Sequence, residues 1–593
     1  MMRNVTATAI VLALAAAASA QVTDLKACYR QGQVFITFKE LADVKGEQYA
    51  VFASDRKLDA AGLAQARRVG AVAEDSGADA REKRIGQLAK KTGVANYGHR
   101  YFIEDNPTND PAKMLPEGTG LFVLTVKKPG KGFYAVAPVV GGQVDAAKLA
   151  ATAEAVDEKV ELPGAVLAWK NEAGTGFVFT HWMDGETWDP MSEGNAYNFG
   201  LALPDSYDGK SPLPVMFYGH GMGESYGVMD KASYWPALWV KPCDKSGSWF
   251  FGMLNRDKTK VVNYVEQRVR WMAAWLQAGY PNQPWKVDPL RYQGHGHSMG
   301  GTFCNALAMR MGDIFCTTVS SCGATIHRRN KTWVNGSEKL WGPVDQNLPV
   351  LLRLVRYEPA GVKVEETSPG GAWDYQDYAK WSLDHMGQET AYLILDNASN
   401  DGSVVWEPVP DFVAALEKSK RPFAAFWNPR GHSNRFGSTK NDAMGGYKIP
   451  LNQSLVAFAN ASNNDDITKG GSGSVNGRLE WCAPGNDFDK ASKDDDLVDT
   501  AEMWATNLRA LPRKAGEPAA DATVDVTPRR CQQFKPKAGA KIDWEVIDFS
   551  TGSAGEKLGS GTVTADKYGL VTVEKVKVPG KGMGSRLSLK VSK

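Results

Sequence analysis

The sequence has little of what marks several large classes of protein. Its net charge is only +2 over 593 residues, and no basic patch is interleaved with aromatic side chains, so it lacks a surface typical of nucleic-acid binding. It contains no C-x-x-C pair, which leaves a zinc ribbon or a thioredoxin-like site without support. A phosphate loop, a dinucleotide fingerprint and internal repeats are also lacking. We therefore expect no cofactor, no metal and no nucleic-acid partner.

Long apolar runs are scarce as well. The run from Ala7 to Ala18 follows Arg3 and ends in Ala18-Ser19-Ala20, which is typical of a signal peptide over residues 1–20 that is cleaved after Ala20. The run is too short and too rich in alanine to favour a membrane span. We expect an exported mature chain, in the periplasm or outside the cell. Its seven cysteines are an odd number, so at least one has no disulfide partner.

The length of the chain predicts several domains rather than one core. Residues 21–147 are rich in strand-forming segments around a stretch, Ala60 to Lys91, that has a helical composition. The ends of this region resemble a fibronectin type III-like sandwich, with the helical stretch as an insertion. Residues 436–520 are predicted to be an irregular extension and linker. Residues 521–593 alternate with period two, which predicts a C-terminal domain resembling a β-sandwich.

Strands and helices alternate within residues 148–435, after a leading connector. Continuous apolar strands such as Val215 to Tyr218 are typical of a sheet that is covered on both faces. The amphipathic stretch from Val261 to Gln277 predicts a helix of the same layer. We expect an α/β domain with a mostly parallel sheet and helices on both faces, flanked by the two β-rich regions.

The octapeptide Gly294 to Gly301 contains a G-x-S-x-G sequence with Ser298 at its centre. A strand-forming segment precedes it and a segment with helical spacing follows it, which is the context of a nucleophile elbow. Small flanking residues let such a turn close, and the helix behind it directs its first amides at an oxygen that becomes negatively charged. Ser298 is the predicted nucleophile.

A serine nucleophile needs a histidine base and an acid that orients it, in the order Ser, acid, His for this type of elbow. Among the histidines after Ser298, His432 is the best candidate because it follows an apolar strand in a loop. His385 is predicted to lie in a helix and His327 in a solvated loop. Asp401 is the preferred acid, and Asp396 and Glu407 remain as alternatives.

Backbone amides are expected to stabilise the developing oxyanion. One is the amide of Met299, directly after the nucleophile. The other is expected from the loop Gly219-His220-Gly221-Met222-Gly223, with Met222 preferred and Gly221 possible, and with a structural role for His220. Trp249 and Trp406 are candidates for the wall of a substrate pocket.

Residues 195–435 resemble the α/β-hydrolase superfamily, in particular secreted esterases of the polyhydroxybutyrate depolymerase, feruloyl esterase and prolyl-oligopeptidase-like group. The residues that carry the resemblance are GHGMGES, GHSMGG, NDGSVVWEPVPDFVAALE and NPRGHS. The resemblance implies a triad of Ser298, His432 and Asp401 that works through an acyl-enzyme. Its implied partner is an ester, either a feruloyl or acetyl ester of plant cell walls or a polyester.

Two other functions compete with that of an ester hydrolase. One is a serine peptidase of the prolyl-oligopeptidase-like type. The other is a protein that binds carbohydrate or another surface through an inactive hydrolase domain. The ordered set Ser298, Asp401 and His432 argues against an inactive domain. The sequence makes no prediction of an oligomeric state.

Overall fold

The computed structural model describes residues 21–41, 48–79, 86–185, 196–223, 229, 232, 235–244, 247–280, 283–433, 449–482, 497–514 and 516–592. The signal peptide predicted over residues 1–20 lies outside them. Within the described residues, no helix is long and apolar enough to cross a membrane. The chain forms two compact units, one from Met1–Ala78 with Leu115–Glu161 and one from Asp79–Met114 with Leu162–Lys593.

The first unit is built from antiparallel strands. One sheet has the order β1-β2-β5, and a second has the order β4-β3-β6-β7, with β8 and β9 also paired to β6. The strands are β1 Thr23–Arg30, β2 Gln33–Lys39, β3 Gln48–Ser54, β4 Arg67–Ala73, β5 Thr119–Thr125, β6 Gly130–Val140, β7 Gln143–Val144, β8 Ala150–Ala151 and β9 Val156–Glu158.

The helical composition of residues 60–91 gave a prediction that is wrong for much of this stretch. Residues 67–73 form strand β4, which pairs with β3. The pairing contains a register shift, and this irregularity lets Val69 and Val72 both be buried although they stand three residues apart, a spacing typical of a helix. Among the described residues of this stretch, helical structure is limited to a 3-10 turn at Leu63–Gln65 and to helix Gly86–Thr92 (α1), which belongs to the second unit. Residues 80–85 lie outside the described residues.

The second unit contains the predicted alternation of strands and helices. Its strands up to residue 428 are β10 Val166–Lys170, β11 Gly176–Trp182, β12 Ala196–Ala202, β13 Leu213–Gly219, β14 Leu238–Pro242, β15 Met253–Leu254, β16 Val261–Val262, β17 Val287–His297, β18 Phe315–Ser321, β19 Val350–Glu358, β20 Gly361–Thr367, β21 Tyr392–Ala398 and β22 Phe423–Asn428. Its other helices are α2 Tyr264–Ala278, α3 Met299–Arg310, α4 Val334–Trp341, α5 Ala372–Tyr375, α6 Tyr378–Asp384 and α7 Val409–Lys418.

The remaining strands follow residue 450. They are β23 Leu455–Ala459, β24 Gly473–Val475, β25 Leu479–Trp481, β26 Val498–Asp499, β27 Met503–Ala510, β28 Ala522–Arg529, β29 Lys541–Asp548, β30 Lys557–Thr564, β31 Val573–Val578 and β32 Ser585–Val591. Strand β24 joins the edge of the sheet that contains β22, while the others form sheets of their own.

A ten-stranded sheet forms the centre of the second unit, in the order β10-β11-β12-β14-β13-β17-β18-β21-β22-β24. The six strands from β14 to β22 in this order are parallel to one another, and antiparallel pairs occur only towards the two edges. The predicted mostly parallel α/β sheet is therefore confirmed. Since the carboxyl ends of parallel strands meet at one edge, the loops after β13, β17, β18, β21 and β22 are neighbours.

The prediction of helices on both faces of this sheet is wrong for the described residues. Alternate residues of β13 point to opposite faces, so Val215 and Phe217 join a core with the helices, whereas Met216 joins a second core. That second core contains strand residues from the C-terminal part of the chain, such as Trp504 and Leu587, and none from the described helices. One face of the central sheet is thus covered by helices and the other by β-structure.

The prediction of irregular chain over residues 436–520 is wrong where this β-structure begins. Strand β23 pairs with β28 and strand β27 pairs with β32, so two sheets cross the predicted boundary at residue 520. Polar and glycine-rich segments around these strands hid their short apolar alternation. Residues 434–448 and 483–496 of the predicted extension lie outside the described residues. The assignment of the remaining domain boundaries, and of fibronectin type III-like character, stays a prediction.

Candidate functional site

Ser298 stands on a sharp turn between strand β17 and helix α3. Its backbone has φ 61° and ψ −122°, a left-handed conformation that is rare for a residue with a side chain. The amide of Ser298 donates a hydrogen bond to the carbonyl of Ser321 at 2.9 Å, which ties the turn to the end of the neighbouring strand β18. The serine therefore projects from the carboxyl edge of the sheet in the geometry predicted for an elbow.

The turn closes because glycines bring three backbone segments together. A Cβ atom on Gly219, at the end of β13, would lie 2.7 Å from the Cα of Gly300. A Cβ atom on Gly300 would overlap the carbonyl group of Gly219, and one on Gly296 would overlap Gly300. The strand before the G-H-G-M-G loop thus contacts the first turn of α3 directly, which brings that loop beside Ser298.

His432 and Asp401 lie on adjacent loops, after β22 and β21, and are hydrogen-bonded to each other. The distance from His432 Nδ1 to Asp401 Oδ2 is 2.6 Å. The two loops are also joined by the amide of Asn400, which donates to the carbonyl of Arg430 at 3.2 Å. The ring centroids of His432 and His297, the residue before the nucleophile, are 4.7 Å apart, so the histidine loop reaches the elbow.

Asp401 is held as a carboxylate by the donors around it. Burial raises its pKa, but the hydrogen bond from His432 and those from the amides of Val404 and Ser403 outweigh burial, and the net pKa is below its ordinary value. Both amides donate to Oδ1, at 2.9 and 2.8 Å, which leaves Oδ2 for the imidazole. Because a carboxylate only accepts, Nδ1 of His432 carries a proton and Nε2 is the basic nitrogen.

The alternative acids and bases have other surroundings. Asp396 is buried within strand β21, and Glu407 is exposed. His385 ends helix α6 and stacks on Trp381. His327 is fully buried, with a ring nitrogen 2.7 Å from the hydroxyl of Ser337, so the prediction of a solvated loop for it is wrong. The apparent solvation came from Arg328 and Arg329, whose side chains form ion pairs with Asp374 and Asp411.

The loop after β13 is organised by His220, which is buried. Its Nδ1 donates to the carbonyl of Gly221 at 2.9 Å, and its Nε2 accepts a hydrogen bond from the amide of Asp244 at 2.9 Å. In a planar trans peptide the carbonyl of Gly221 and the amide of Met222 point in opposite directions, so the bond to His220 aims the Met222 amide away from the ring. The Met299 amide belongs to the first turn of α3 and has no partner within the helix.

The two tryptophans suggested for a substrate pocket occupy different surroundings. Trp249 is only 3% exposed and packs against the rings of His327 and Trp333. Trp406 is half-buried and packs against Trp427 of strand β22. Trp249 therefore has very little surface to offer a ligand, and a role for Trp406 stays a prediction.

Two residues of this region were missed by the sequence reasoning. His297 precedes the nucleophile, and Cys322 follows strand β18 in a left-handed conformation with φ 48°. The thiol of Cys322 contacts the carboxylate of Asp401, and burial and the carboxylates of Asp401 and Asp396 raise its pKa. The sequence signal for Cys322 was its position directly after β18, the strand that pairs with β17 before Ser298.

No protein-family model and no curated protein matches the chain. Solved structures do resemble it. An S-formylglutathione hydrolase from Agrobacterium tumefaciens is 17% identical, with a TM-score of 0.35 over 47% of this chain and 96% of its own. A ferulic acid esterase is 12% identical, with a TM-score of 0.28 over 44% of this chain and 92% of its own. Dipeptidyl peptidase 4 from Porphyromonas gingivalis is 13% identical, with a TM-score of 0.28 over 52% of this chain and 46% of its own.

These structural neighbours are serine hydrolases of the α/β-hydrolase superfamily, and they include both esterases and peptidases. Identity is low and coverage is partial in each case. The neighbours therefore do not assign this chain to a family, and the chemistry of the site has to be argued from its own residues.

Proposed function

We propose that the chain is a serine hydrolase that cleaves carboxylic esters through an acyl-enzyme. The observation that carries the proposal is the 2.6 Å bond between His432 and Asp401, on loops that reach the strained turn of Ser298. A serine hydroxyl is a weak nucleophile, and a neighbouring imidazole that is oriented by a carboxylate is the arrangement that activates it.

In the first half of the reaction, Nε2 of His432 takes the hydroxyl proton of Ser298 while Oγ attacks the ester carbonyl. Asp401 stabilises the imidazolium that results and keeps Nδ1 protonated. The negative oxygen of the tetrahedral intermediate faces the amides of Met299 and Met222, which are fixed before the substrate arrives. When the intermediate collapses, the imidazolium gives its proton to the leaving alcohol, and the acyl group stays on Ser298.

The second half of the reaction uses the same groups in the same order. His432 takes a proton from water as the water attacks the acyl carbonyl, and the same two amides bind the oxyanion. The proton then returns to Oγ of Ser298 as the acid is released. Atoms and charge balance over the cycle: one ester and one water give one alcohol and one carboxylic acid.

The preference for esters over amides rests on the loop Gly219-His220-Gly221-Met222-Gly223, which resembles the H-G-G-G-type loop of esterases. We further propose that the substrate is a feruloyl or acetyl ester of plant cell walls or a polyester, and that the chain is exported to meet it. Export rests on the predicted signal peptide over residues 1–20, so the mature protein is expected to begin at Gln21.

The test is an assay of the purified protein on p-nitrophenyl acetate, methyl ferulate and a dipeptide p-nitroanilide. Ser298→Ala is expected to lower kcat on the esters by about 10⁶-fold, because the nucleophile of the acyl-enzyme is lost. Ser553→Ala, which changes an exposed serine near the C-terminus, is the matched control and is expected to retain full activity.

Ester hydrolysis that is equal in Ser298→Ala and in the unmodified protein would contradict the mechanism. Faster cleavage of the anilide than of either ester would replace the esterase proposal with that of a serine peptidase. A protein that cleaves none of the three substrates but binds an insoluble polysaccharide would favour a binding function instead.

A further inference from the structure

Three side chains that can bind a metal ion meet beside the nucleophile. One ligand atom from each of His297, Cys322 and His432 lies within 4.8 Å of the other two. These residues come from three separate positions in the chain, at the end of β17, just after β18 and in the loop after β22. The sequence lacks a C-x-x-C pair, but the fold brings together three donors that are distant from one another in the chain.

His432 is oriented as a metal-binding histidine usually is. Asp401 holds its Nδ1–H, and a histidine ligand typically donates this other ring proton to a carboxylate, which fixes the ring and raises its basicity. The side chain of Asp401 is only 1% exposed and accepts two further backbone bonds, so the orientation is firmly set. Nε2 of His432 is left as the ligand atom.

His297 supplies one ligand atom of the cluster, and one of its ring nitrogens makes no hydrogen bond to the described residues. Its Nδ1 is buried and lacks a hydrogen-bond partner there. A buried polar atom of this kind loses its hydration without compensation unless it acquires a partner, and an ion would provide one.

Cys322 contributes sulfur, which favours particular metals. The cysteine forms no disulfide, and it directly follows β18 in a left-handed backbone conformation. Two imidazole nitrogens and one thiolate are a donor set suited to Zn²⁺ in a tetrahedral site that keeps a fourth position open. Magnesium and calcium prefer oxygen donors and are not expected to bind here.

We propose that His297, Cys322 and His432 form an inhibitory binding site for Zn²⁺ or a similar thiophilic divalent cation. The ion displaces one proton, from the thiol of Cys322, and that proton passes to solvent. The bound cation with its thiolate carries a net charge of +1, which the carboxylate of Asp401 balances. No other bond is made or broken.

The inhibition, but not the binding, rests on the proposed function. An ion on Nε2 of His432 occupies the electron pair that would take the proton of Ser298, so the metal-bound protein cannot activate its nucleophile. Removal of the ion by a chelator restores the free base. Binding of the ion and ester hydrolysis are therefore expected to exclude each other.

Binding is tested without turnover by titrating Co²⁺ into metal-free protein that carries Ser298→Ala. Cobalt takes the place of zinc, and a thiolate ligand gives it a charge-transfer absorption in the near ultraviolet. The band is expected with one equivalent of Co²⁺ and is expected to disappear in Cys322→Ser. Cys28→Ser and Cys531→Ser, which change cysteines outside the cluster, are the matched controls and are expected to keep it.

Inhibition is tested by adding Zn²⁺ to the protein with Ser298 intact and comparing each rate with that of the same variant in chelator. Cys322→Ser and His297→Asn are each expected to raise the Zn²⁺ concentration for half-inhibition by at least about tenfold, because each removes one ligand. The affinity for Zn²⁺ can also be measured by its displacement of Co²⁺ in the absorption assay. We expect this affinity to be of the same order as the Zn²⁺ concentration for half-inhibition.

A lack of the thiolate band in the Ser298→Ala protein would overturn the site, whatever the outcome of the ester assay. Equal sensitivity to Zn²⁺ in the unmodified protein and in Cys322→Ser would overturn it as well. A protein that shows the band but cleaves no ester would retain the metal site while contradicting the proposed function.

Discussion

The protonation of His220 illustrates how single residues set the geometry of this site. The carbonyl of Gly221 can only accept and the amide of Asp244 can only donate, so the ring between them has its proton on Nδ1 and a free pair on Nε2. The ring also packs against Phe250, with 4.8 Å between centroids. His220 touches no reacting atom in the proposed mechanism, so its role is to position the Gly221–Met222 peptide.

Replacement of His220 by phenylalanine is therefore expected to lower kcat by about 10²–10³-fold, the usual effect of losing one oxyanion donor. KM is expected to change little, because the oxyanion forms only after the substrate is bound. The measurement is steady-state kinetics on p-nitrophenyl acetate. His385→Phe makes the same exchange at a ring that stacks on Trp381 at the end of helix α6, and it is the control. A change in KM with kcat unchanged, or no change in either constant, would contradict a positioning role.

Sequence reasoning selected the three residues of the proposed triad from their order along the chain. Ser298, Asp401 and His432 could be chosen because each follows a predicted strand whose carboxyl end lies at one edge of a parallel sheet. His297 and Cys322 carry no such order, since their proximity arises from the pairing of β17 with β18 and from a left-handed turn after β18. The burial of Trp249 could not be foreseen, because an apolar ring suits a pocket and a core equally well.

At the scale of elements, the elbow depends on the contact between the end of β13 and the first turn of α3. Gly219 and Gly300 meet backbone to backbone, so neither has room for a side chain. The contact fixes the distance between the loop that carries Met222 and the amide of Met299. It therefore couples the packing of one helix to the geometry of the proposed oxyanion site.

Gly300→Ala is expected to separate these two elements, because the new methyl group would overlap the carbonyl of Gly219. Overpacking of this kind typically costs about 1–3 kcal/mol of stability. We expect a lower free energy of unfolding in urea and a fall in kcat. Gly336→Ala is the matched control: it lies in helix α4, nothing lies within 4 Å of its Cβ position, and alanine favours a helix.

If Gly300→Ala retained the kcat and the urea midpoint of the unmodified protein, a tight contact between β13 and α3 would be contradicted. A loss of stability in both glycine variants would point instead to a general sensitivity of the helices. Both variants replace glycine by alanine in a helix, so the structure predicts that only Gly300→Ala lowers kcat and stability.

At the scale of the whole second unit, local sequence patterns predicted the central sheet but not the layers that pack on its two faces. Strands such as β21 are apolar on both sides, and a sequence cannot tell whether helices or other strands cover each side. Here the second cover is built from strands that pair across long stretches of chain, as β27 pairs with β32. Arg529, the last residue of β28, links this second cover to the loops that precede β21 and β22. Its side chain is fully buried and donates hydrogen bonds to the carbonyls of Gln388 and Lys420.

The same dense packing buries ionisable rings on both sides of the sheet. His295 stacks on Tyr218 on the side of the C-terminal strands, and burial lowers its pKa to about 4. His327 lies among tryptophans on the side of the helices, and burial lowers its pKa to about 3. The ordinary value of 6.5 applies when the chain is unfolded, so acid is expected to act on the fold through these rings.

For His327, the sign of the change in stability with pH depends on whether the folded or the unfolded chain binds the proton. Between pH 6.5 and about 3 the unfolded chain protonates this ring and the folded one does not, so the free energy of unfolding falls as the pH is lowered. The slope from one such ring approaches about 1.4 kcal/mol per pH unit. All 18 tryptophans follow residue 161, so their fluorescence during urea unfolding reports on the second unit.

His327→Phe keeps a ring against Trp249 and Trp341 but cannot titrate, so it is expected to show a shallower fall in stability between pH 6.5 and 4. Ser337→Ala removes the hydrogen bond of His327 and leaves the titrating ring, so its stability is expected to be lower at every pH with the slope unchanged. Equal slopes in the unmodified protein and in His327→Phe would mean that this ring is protonated in the folded state, and the dry, neutral core inferred around it would be wrong.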